Sequence, residues 1–196
     1  EMDLSAGHVW VMVSAALVLL MTPGLAFFYG GMTRAKAALN MMMMSFVSIG
    51  LVGVVWVLWG YSMTGGDGIA GLFASPFAYF GLDGLIGTED MISAGFGATF
   101  AIITVALISG AIADRAKFGA WAVFVPVWVT LVYCPLAFMV WGGGLLGEEG
   151  AIGSVVGEAI DFAGGTVVHI NAGVAALVLA LIIGKRRGFG SDPSHR

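Results

Sequence analysis

Residues 162–184 read FAGGTVVHINAGVAALVLALIIG, an apolar stretch interrupted by one ionisable side chain, His169. About 20 consecutive apolar residues are enough for a helix to cross the hydrocarbon core of a bilayer. Four comparable stretches precede it in the chain: Val9–Gly31, Met41–Gly60, Met91–Ala113 and Gly119–Val140. The sequence therefore predicts an all-α, polytopic membrane bundle of five transmembrane helices.

The composition supports the same class of protein. Of 196 residues, 59% are hydrophobic and only 10% are charged, and the mean hydropathy is +0.99. A soluble domain carries about 25% charged residues, so this chain has too few charges to cover a globular surface. The net charge of −4 argues against a nucleic-acid partner, because phosphate contacts need a basic face. The common catalytic motifs and the P-loop are absent from the sequence, which predicts neither an enzyme nor a bound cofactor or metal.

Charge placement predicts the orientation in the membrane. All basic residues fall in the connections after the first, third and fifth stretches: Arg34, Lys36, Arg115, Lys117, Lys185, Arg186, Arg187 and Arg196. Asp114 and Asp192 are the acidic residues among these basic connections. Of the other acidic residues, Glu1 and Asp3 lie at the N-terminus and the rest lie in two long Gly-rich loops. The positive-inside rule then places the N-terminus outside the cell and the C-terminal tail in the cytoplasm.

His169 is the most informative single residue. It lies eight positions beyond Asp161, so a regular helix would place it roughly 12 Å deep, near the middle of the hydrocarbon core. Ionisable side chains at such depth are costly and typically mark an ion or proton pathway. A neutral imidazole bonded to a neighbouring helix is the structural alternative, and the sequence leaves both open.

Other candidate residues surround the outer ends of the stretches. Phe96 and Phe100 are spaced i, i+4 and therefore share one helix face, where they could close a pore or simply pack. Trp141 is either an interfacial anchor or a surface that holds a small cation against its ring. Asp161 is either a helix N-cap or a substrate contact.

Three ordered motifs give this chain a resemblance to the ammonium transporter family (Amt/MEP, with Rh proteins as relatives). Residues 21–31, MTPGLAFFYGG, look like the first-helix signature of that family. Residues 139–146, MVWGGGLL, resemble the end of its fourth helix, and residues 161–171, DFAGGTVVHIN, resemble its fifth-helix signature. The resemblance covers essentially the whole chain but only about the first half of the family's domain.

The resemblance implies a role for each candidate residue. Trp141, with Phe100 and Asp161 beside it, is similar to the outer site that recruits the ammonium cation. Phe100 and Phe96 resemble the phenylalanine gate, and His169 resembles the first of twin pore histidines. Tyr29 and Tyr133 fall at positions that resemble pore-lining neighbours.

The resemblance also implies an architecture. The family forms an eleven-helix protomer with inverted repeats, usually in a homotrimer, in the plasma membrane. Residues 1–196 would be its N-terminal half, with the second half missing. Ammonium and ammonia would be the substrates, and a PII-type protein a regulatory partner. An ammonium-sensing input domain of a signalling protein and an Rh-type gas channel are the alternatives.

Overall fold

The computed structural model describes residues 4–191 and contains five helices long and apolar enough to cross a membrane. They are α1 (Ala6–Met32), α2 (Ala35–Gly65), α3 (Asp90–Ile112), α4 (Phe118–Trp141) and α5 (Gly165–Ile183). The predicted five-helix bundle is therefore present. Glu1, Asp3, Asp192 and Arg196, which contributed to the charge pattern, lie outside the described residues.

Two helix boundaries differ from the predicted ones for identifiable reasons. Helix α2 begins at Ala35 and not at Met41, because the Ala- and Leu-containing turn that carries Lys36 is helical despite its charge. Helix α5 begins at Gly165 and not at Phe162, because Gly164 has a φ of 95° and interrupts a right-handed helix. The connection between α1 and α2 is correspondingly short.

Three of the five spans contain a π-helical turn. Wider π-helical turns occupy Trp56–Gly60 in α2, Val129–Tyr133 in α4 and Gly165–Ile170 at the start of α5. The turn in α4 follows Pro126, which has no N–H to donate, and Thr130 Oγ1 donates to the Pro126 carbonyl at 2.8 Å. Such turns re-aim side chains and are often found at functional sites.

Large side chains fill the core between α2, α3 and α4. Trp121 is 1% exposed, and its Nε1–H donates to the Met44 carbonyl at 2.8 Å. Trp56 is 4% exposed and donates to the Ala94 carbonyl at 2.9 Å. These bonds satisfy buried indole groups where bulk water is absent, and they tie α4 to α2 and α2 to α3.

Ion pairs and hydrogen bonds group the helix ends on two faces, as the charge pattern requires. His8 Nε2 lies 3.3 Å from Glu89 Oε2 and joins the starts of α1 and α3. On the opposite face, Arg34 Nε donates to Asp114 Oδ2 at 2.9 Å. Arg115 on that face donates to the carbonyls of Ala111 and Gly184, at the ends of α3 and α5. We refer to the Arg34 face as the basic face and to the His8 face as the outer face, after the orientation that the charge pattern predicts.

Candidate functional site

Three aromatic rings form a continuous run from the outer end of α4 into α3. The rings of Phe96 and Phe100 have centroids 4.9 Å apart and meet edge to face at 75°. The rings of Phe100 and Trp141 are 5.9 Å apart and meet at 83°. Edge-to-face contacts of this kind stabilise a fixed arrangement, so the predicted gate and recruitment residues form one cluster.

The Trp141 side chain is fixed by a hydrogen bond but remains partly exposed to solvent. Its Nε1–H donates to the backbone carbonyl of Asp161 at 2.8 Å, while 41% of the residue remains exposed. The bond joins the end of α4 to the segment that precedes α5. The indole is therefore oriented by the chain, and part of its surface remains accessible.

The carboxylate of Asp161 caps the start of α5. Its Oδ1 accepts from the N–H groups of Gly164 and Gly165 at 2.6 and 2.9 Å. Its Oδ2 accepts from those of Thr166 and Val167 at 2.8 and 2.9 Å. Partial desolvation raises the pKa of this carboxyl, but the four N–H bonds outweigh it and hold the pKa below its ordinary value. The N-cap interpretation of Asp161 thus has direct geometric support.

His169 lies in the π-helical turn of α5 with an exposed side chain. Its neighbours Val167 and Val168 are 0% and 2% exposed, so the imidazole projects from the face opposite the core. His169 is four residues into the helix, about 6 Å from its start at 1.5 Å per residue. The regular helix from Asp161 that the depth prediction assumed is therefore wrong, because the chain up to Gly164 is not helical. The depth of His169 in a membrane stays a prediction.

A small hydrophobic cluster connects the aromatic run to this turn. Ile103 and Ala106 of α3 form it together with Val168, the residue that precedes His169. Phe100 packs against the same cluster. The gate candidate and the turn that carries the pore candidate are thus parts of one packed unit.

The two tyrosine candidates make their described ring contacts and hydrogen bonds in other parts of the bundle. Tyr29 is half-buried, donates to the Leu107 carbonyl at 2.9 Å, and lines a cavity of about 310 Å³ near the basic face. Tyr133 is 1% exposed, with its ring 6.3 Å from that of Trp56 in the helix core. Their pore-lining roles stay predictions.

The sequence did not predict that a hairpin in the first outer loop contacts the glycine segment that follows Trp141. A two-stranded hairpin pairs β1 (Gly68–Ile69) with β2 (Phe73–Ala74), and the carbonyl of Gly71 at its tip accepts from the Leu145 N–H at 2.9 Å. A Cβ on Gly144 would lie 2.5 Å from that same carbonyl oxygen. The glycine run after Trp141 was the sequence feature that could have indicated this contact, because such close backbone approach excludes any side chain.

Comparison with known sequences gives consistent matches. A family model described as Ammonium Transporter Family matches residues 9–196. An ammonium transporter of Mycobacterium tuberculosis is 51% identical over 92% of this chain and 43% of its own length. One from Aquifex aeolicus is 45% identical over 100% of this chain and 46% of its own length. The chain thus spans less than half the length of these relatives.

Solved structures show the same architecture. Mep2 of Candida albicans superposes with a TM-score of 0.80 at 34% identity, covering 92% of this chain and 40% of Mep2. A structure described as a sensor Amt protein superposes with a TM-score of 0.81 at 26% identity, covering 91% of this chain and 44% of the sensor. With the match of residues 9–196, these findings show that the chain belongs to the ammonium transporter family.

Proposed function

We propose that this chain forms one side of a path that carries ammonium, as ammonia, across the plasma membrane. Family membership supports the substrate class, since the relatives are named ammonium transporters. The observation that carries the proposal is the run Phe96–Phe100–Trp141, packed beside the turn that bears an exposed His169. An imidazole and a column of rings on membrane helices suit a small cation that can lose its proton.

Recruitment takes place at Trp141 in this proposal. A cation over an indole face gains about 0.5–2 kcal/mol, more where water is excluded. Asp161 does not need to touch the ion, because its carboxylate oxygens are engaged by the four N–H groups. Its carbonyl instead fixes the indole that receives the cation, and its negative charge adds to a favourable field.

Passage beyond the aromatic run requires the loss of a proton. A bare cation is strongly disfavoured in an apolar, poorly hydrated channel, whereas neutral ammonia is not. In this proposal ammonium gives its proton to solvent water on the outer side of Phe96 and Phe100, and these two rings form the apolar barrier that the neutral ammonia then crosses. Ammonia then proceeds past His169, whose ring nitrogens can accept or donate a hydrogen bond.

The wider assembly is part of the same proposal. By analogy with its family, the path would be completed within an eleven-helix protomer, in a homotrimer with the N-terminus outside. Regulation by a PII-type partner at the cytoplasmic side belongs to the same expectation. The connections rich in Arg and Lys on the basic face favour this orientation.

His169→Ala tests the proposed path. Proteoliposomes containing the protein receive an ammonium jump while internal pH and membrane current are recorded. We expect the variant to lose or change the response because the pore imidazole is gone. His8→Ala is the matched control, since it removes a histidine whose ring contacts Ser5 and Glu89 at the outer face. Unchanged flux and selectivity in His169→Ala would exclude a pore role for this residue.

An ammonium-sensing input domain is the second candidate, favoured by the likeness to the sensor Amt structure. A sensor binds ammonium without needing to conduct it. Ammonium-dependent quenching of Trp141 fluorescence with no ammonium-driven pH change or current would favour the sensor. Quenching together with flux would favour the transporter.

A further inference from the structure

Two of the π-helical turns lie side by side between α2 and α4. In α2, the Tyr61 N–H donates to the carbonyl of Trp56, five residues earlier. In α4, the Cys134 N–H donates to the carbonyl of Val129, also five residues earlier. A regular α-helix bonds residues four apart, so each of these turns contains one residue more between its bonded groups.

Side-chain contacts join the two turns. The rings of Trp56 and Tyr133 have centroids 6.3 Å apart, and both side chains are buried. A Cβ on Gly60 would lie 3.5 Å from the sulfur of Cys134, so the thiol packs closely against the α2 backbone. The two turns therefore form one packed unit.

A pair of hydrogen bonds through Thr130 links the same turns. The Trp59 Nε1–H donates to Thr130 Oγ1 at 2.9 Å. The Thr130 hydroxyl in turn donates to the Pro126 carbonyl at 2.8 Å. One hydroxyl thus accepts a bond from α2 and donates one within α4, where the wider turn of α4 begins. Because the hydrocarbon core of a bilayer holds no water to replace them, both bonds favour this turn.

The turn in α4 sets the direction of the helix end that bears Trp141. From Cys134 to Trp141 the chain is regular α-helix, about 12 Å long at 1.5 Å per residue. Conversion of the wider turn to α-helix would rotate this segment by about 100°, the angle that one residue spans in an α-helix. Such a rotation would break the bond from Trp141 to the Asp161 carbonyl and the ring contact with Phe100.

We propose that Thr130 is a positioning residue for ammonium recruitment, whose hydroxyl stabilises the wider turn of α4 and thereby holds the Trp141 indole against Phe100. This inference rests on the proposed role of Trp141. Thr130 precedes Trp141 by eleven residues, roughly 16 Å along the helix, so it acts through the helix and not by contact with the cation.

The first test measures the Trp141 indole in the absence of ammonium. The protein is labelled with ¹⁵N-tryptophan, and NMR follows the exchange of each indole N–H with water, with signals assigned by Trp→Phe variants. Thr130→Val keeps the shape of the side chain but removes its hydroxyl. We expect this variant to speed exchange at Trp141 about 3- to 20-fold, the contribution of one interhelical hydrogen bond in a membrane. Thr130→Ser, which keeps the hydroxyl, should retain slow exchange.

Ser48→Ala is the matched control for this measurement. It removes a buried hydroxyl that donates to the Met44 carbonyl within α2 at 2.9 Å, and it should leave exchange at Trp141 unchanged. A change confined to the Trp59 signal in Thr130→Val, or an equal change at Trp141 in Ser48→Ala, would overturn the proposal.

The second test measures transport in proteoliposomes. Thr130→Val should raise the apparent KM for ammonium, by no more than Trp141→Leu does, and leave the maximal rate less affected. In a Trp141→Leu background, Thr130→Val should add no further rise, because its effect passes through the indole. A further rise in the double variant would show that Thr130 acts elsewhere. If the unmodified protein carries no ammonium, the proposed function fails, whereas the exchange rates at Trp141 still decide whether Thr130 positions the indole.

Discussion

Replacing Asp161 with Asn tests whether one carboxylate organises the start of α5. The carboxylate accepts four backbone N–H bonds, two at each oxygen. An asparagine keeps one carbonyl oxygen for two of them and turns an NH₂ donor toward the other two. Losing an N-cap costs about 0.5–2 kcal/mol. Because two charge-assisted bonds disappear here, we expect about 2 kcal/mol for local opening of this turn.

The local opening of this turn can be measured directly by hydrogen exchange and mass spectrometry on a peptide that covers residues 160–170. A local loss of about 2 kcal/mol corresponds to about 30-fold faster exchange of the amides of Gly164 to Val167. Glu158→Gln is the matched control, because it removes the same charge from an exposed position in the same loop. Exchange that stays unchanged in Asp161→Asn, or that rises equally in Glu158→Gln, would refute the capping argument.

The pH dependence of hydrogen exchange at this turn provides a second test of the same interaction. Because the N–H bonds hold the pKa of Asp161 below its unfolded value of about 3.9, the charged cap stabilises the folded state fully above that pH. The stabilisation is lost as the pH falls through the lower, folded-state pKa. The original protein should therefore show faster exchange at this turn on acidification, after correction for intrinsic rates. In Asp161→Asn, acidification should not produce this additional increase in the exchange rate.

Two further substitutions probe the aromatic run and the helix packing. Trp141→Leu should raise the apparent KM for ammonium about 2- to 30-fold and leave the maximal rate less affected. Trp10→Leu, at a 72% exposed residue of α1, should leave the apparent KM unchanged. Equal loss of transport at all ammonium concentrations in Trp141→Leu would argue against recruitment. Gly110→Ala should lower stability by about 1–3 kcal/mol in thermal unfolding, because its Cβ would lie 2.5 Å from the Tyr29 ring. Gly119→Ala, with open space around its Cβ, should be close to neutral, and equal effects of both substitutions would contradict this packing argument.

The five spans could be predicted because the bilayer imposes a length and a polarity on any helix that crosses it. The two faces could be predicted because the basic residues lie in alternate connections. The start of α2 was harder to predict from the sequence, since Lys36 lowers the local hydropathy while the backbone around it remains helical. Hydropathy reports where a chain can enter lipid, and helices extend beyond that zone.

The sequence suggested which residues could form the candidate site but not their geometry. The i, i+4 spacing of Phe96 and Phe100 predicted that they share a helix face, and their rings are in edge-to-face contact. The bond from Trp141 to the carbonyl of Asp161 could not be predicted, because it joins a side chain at the end of α4 to the backbone of the loop before α5. The helix start that the sequence analysis assumed in placing His169 was wrong for a similar reason. A residue count assumes a regular helix, and the left-handed backbone at Gly164 delays the helix start.

The exposed faces of α1 and α5 differ in a way that bears on the proposed path. The exposed hydrophobic side chains of α1, among them Leu17, Leu20 and Phe27, suit contact with acyl chains. The exposed surface of α5 has similar aliphatic residues but also presents His169. Placing an ionisable group against lipid is unfavourable, whereas water, ammonia or polar protein groups can satisfy an imidazole. The His169 side of α5 is therefore the side on which a conducting path is expected, and Phe100 packs against the same turn.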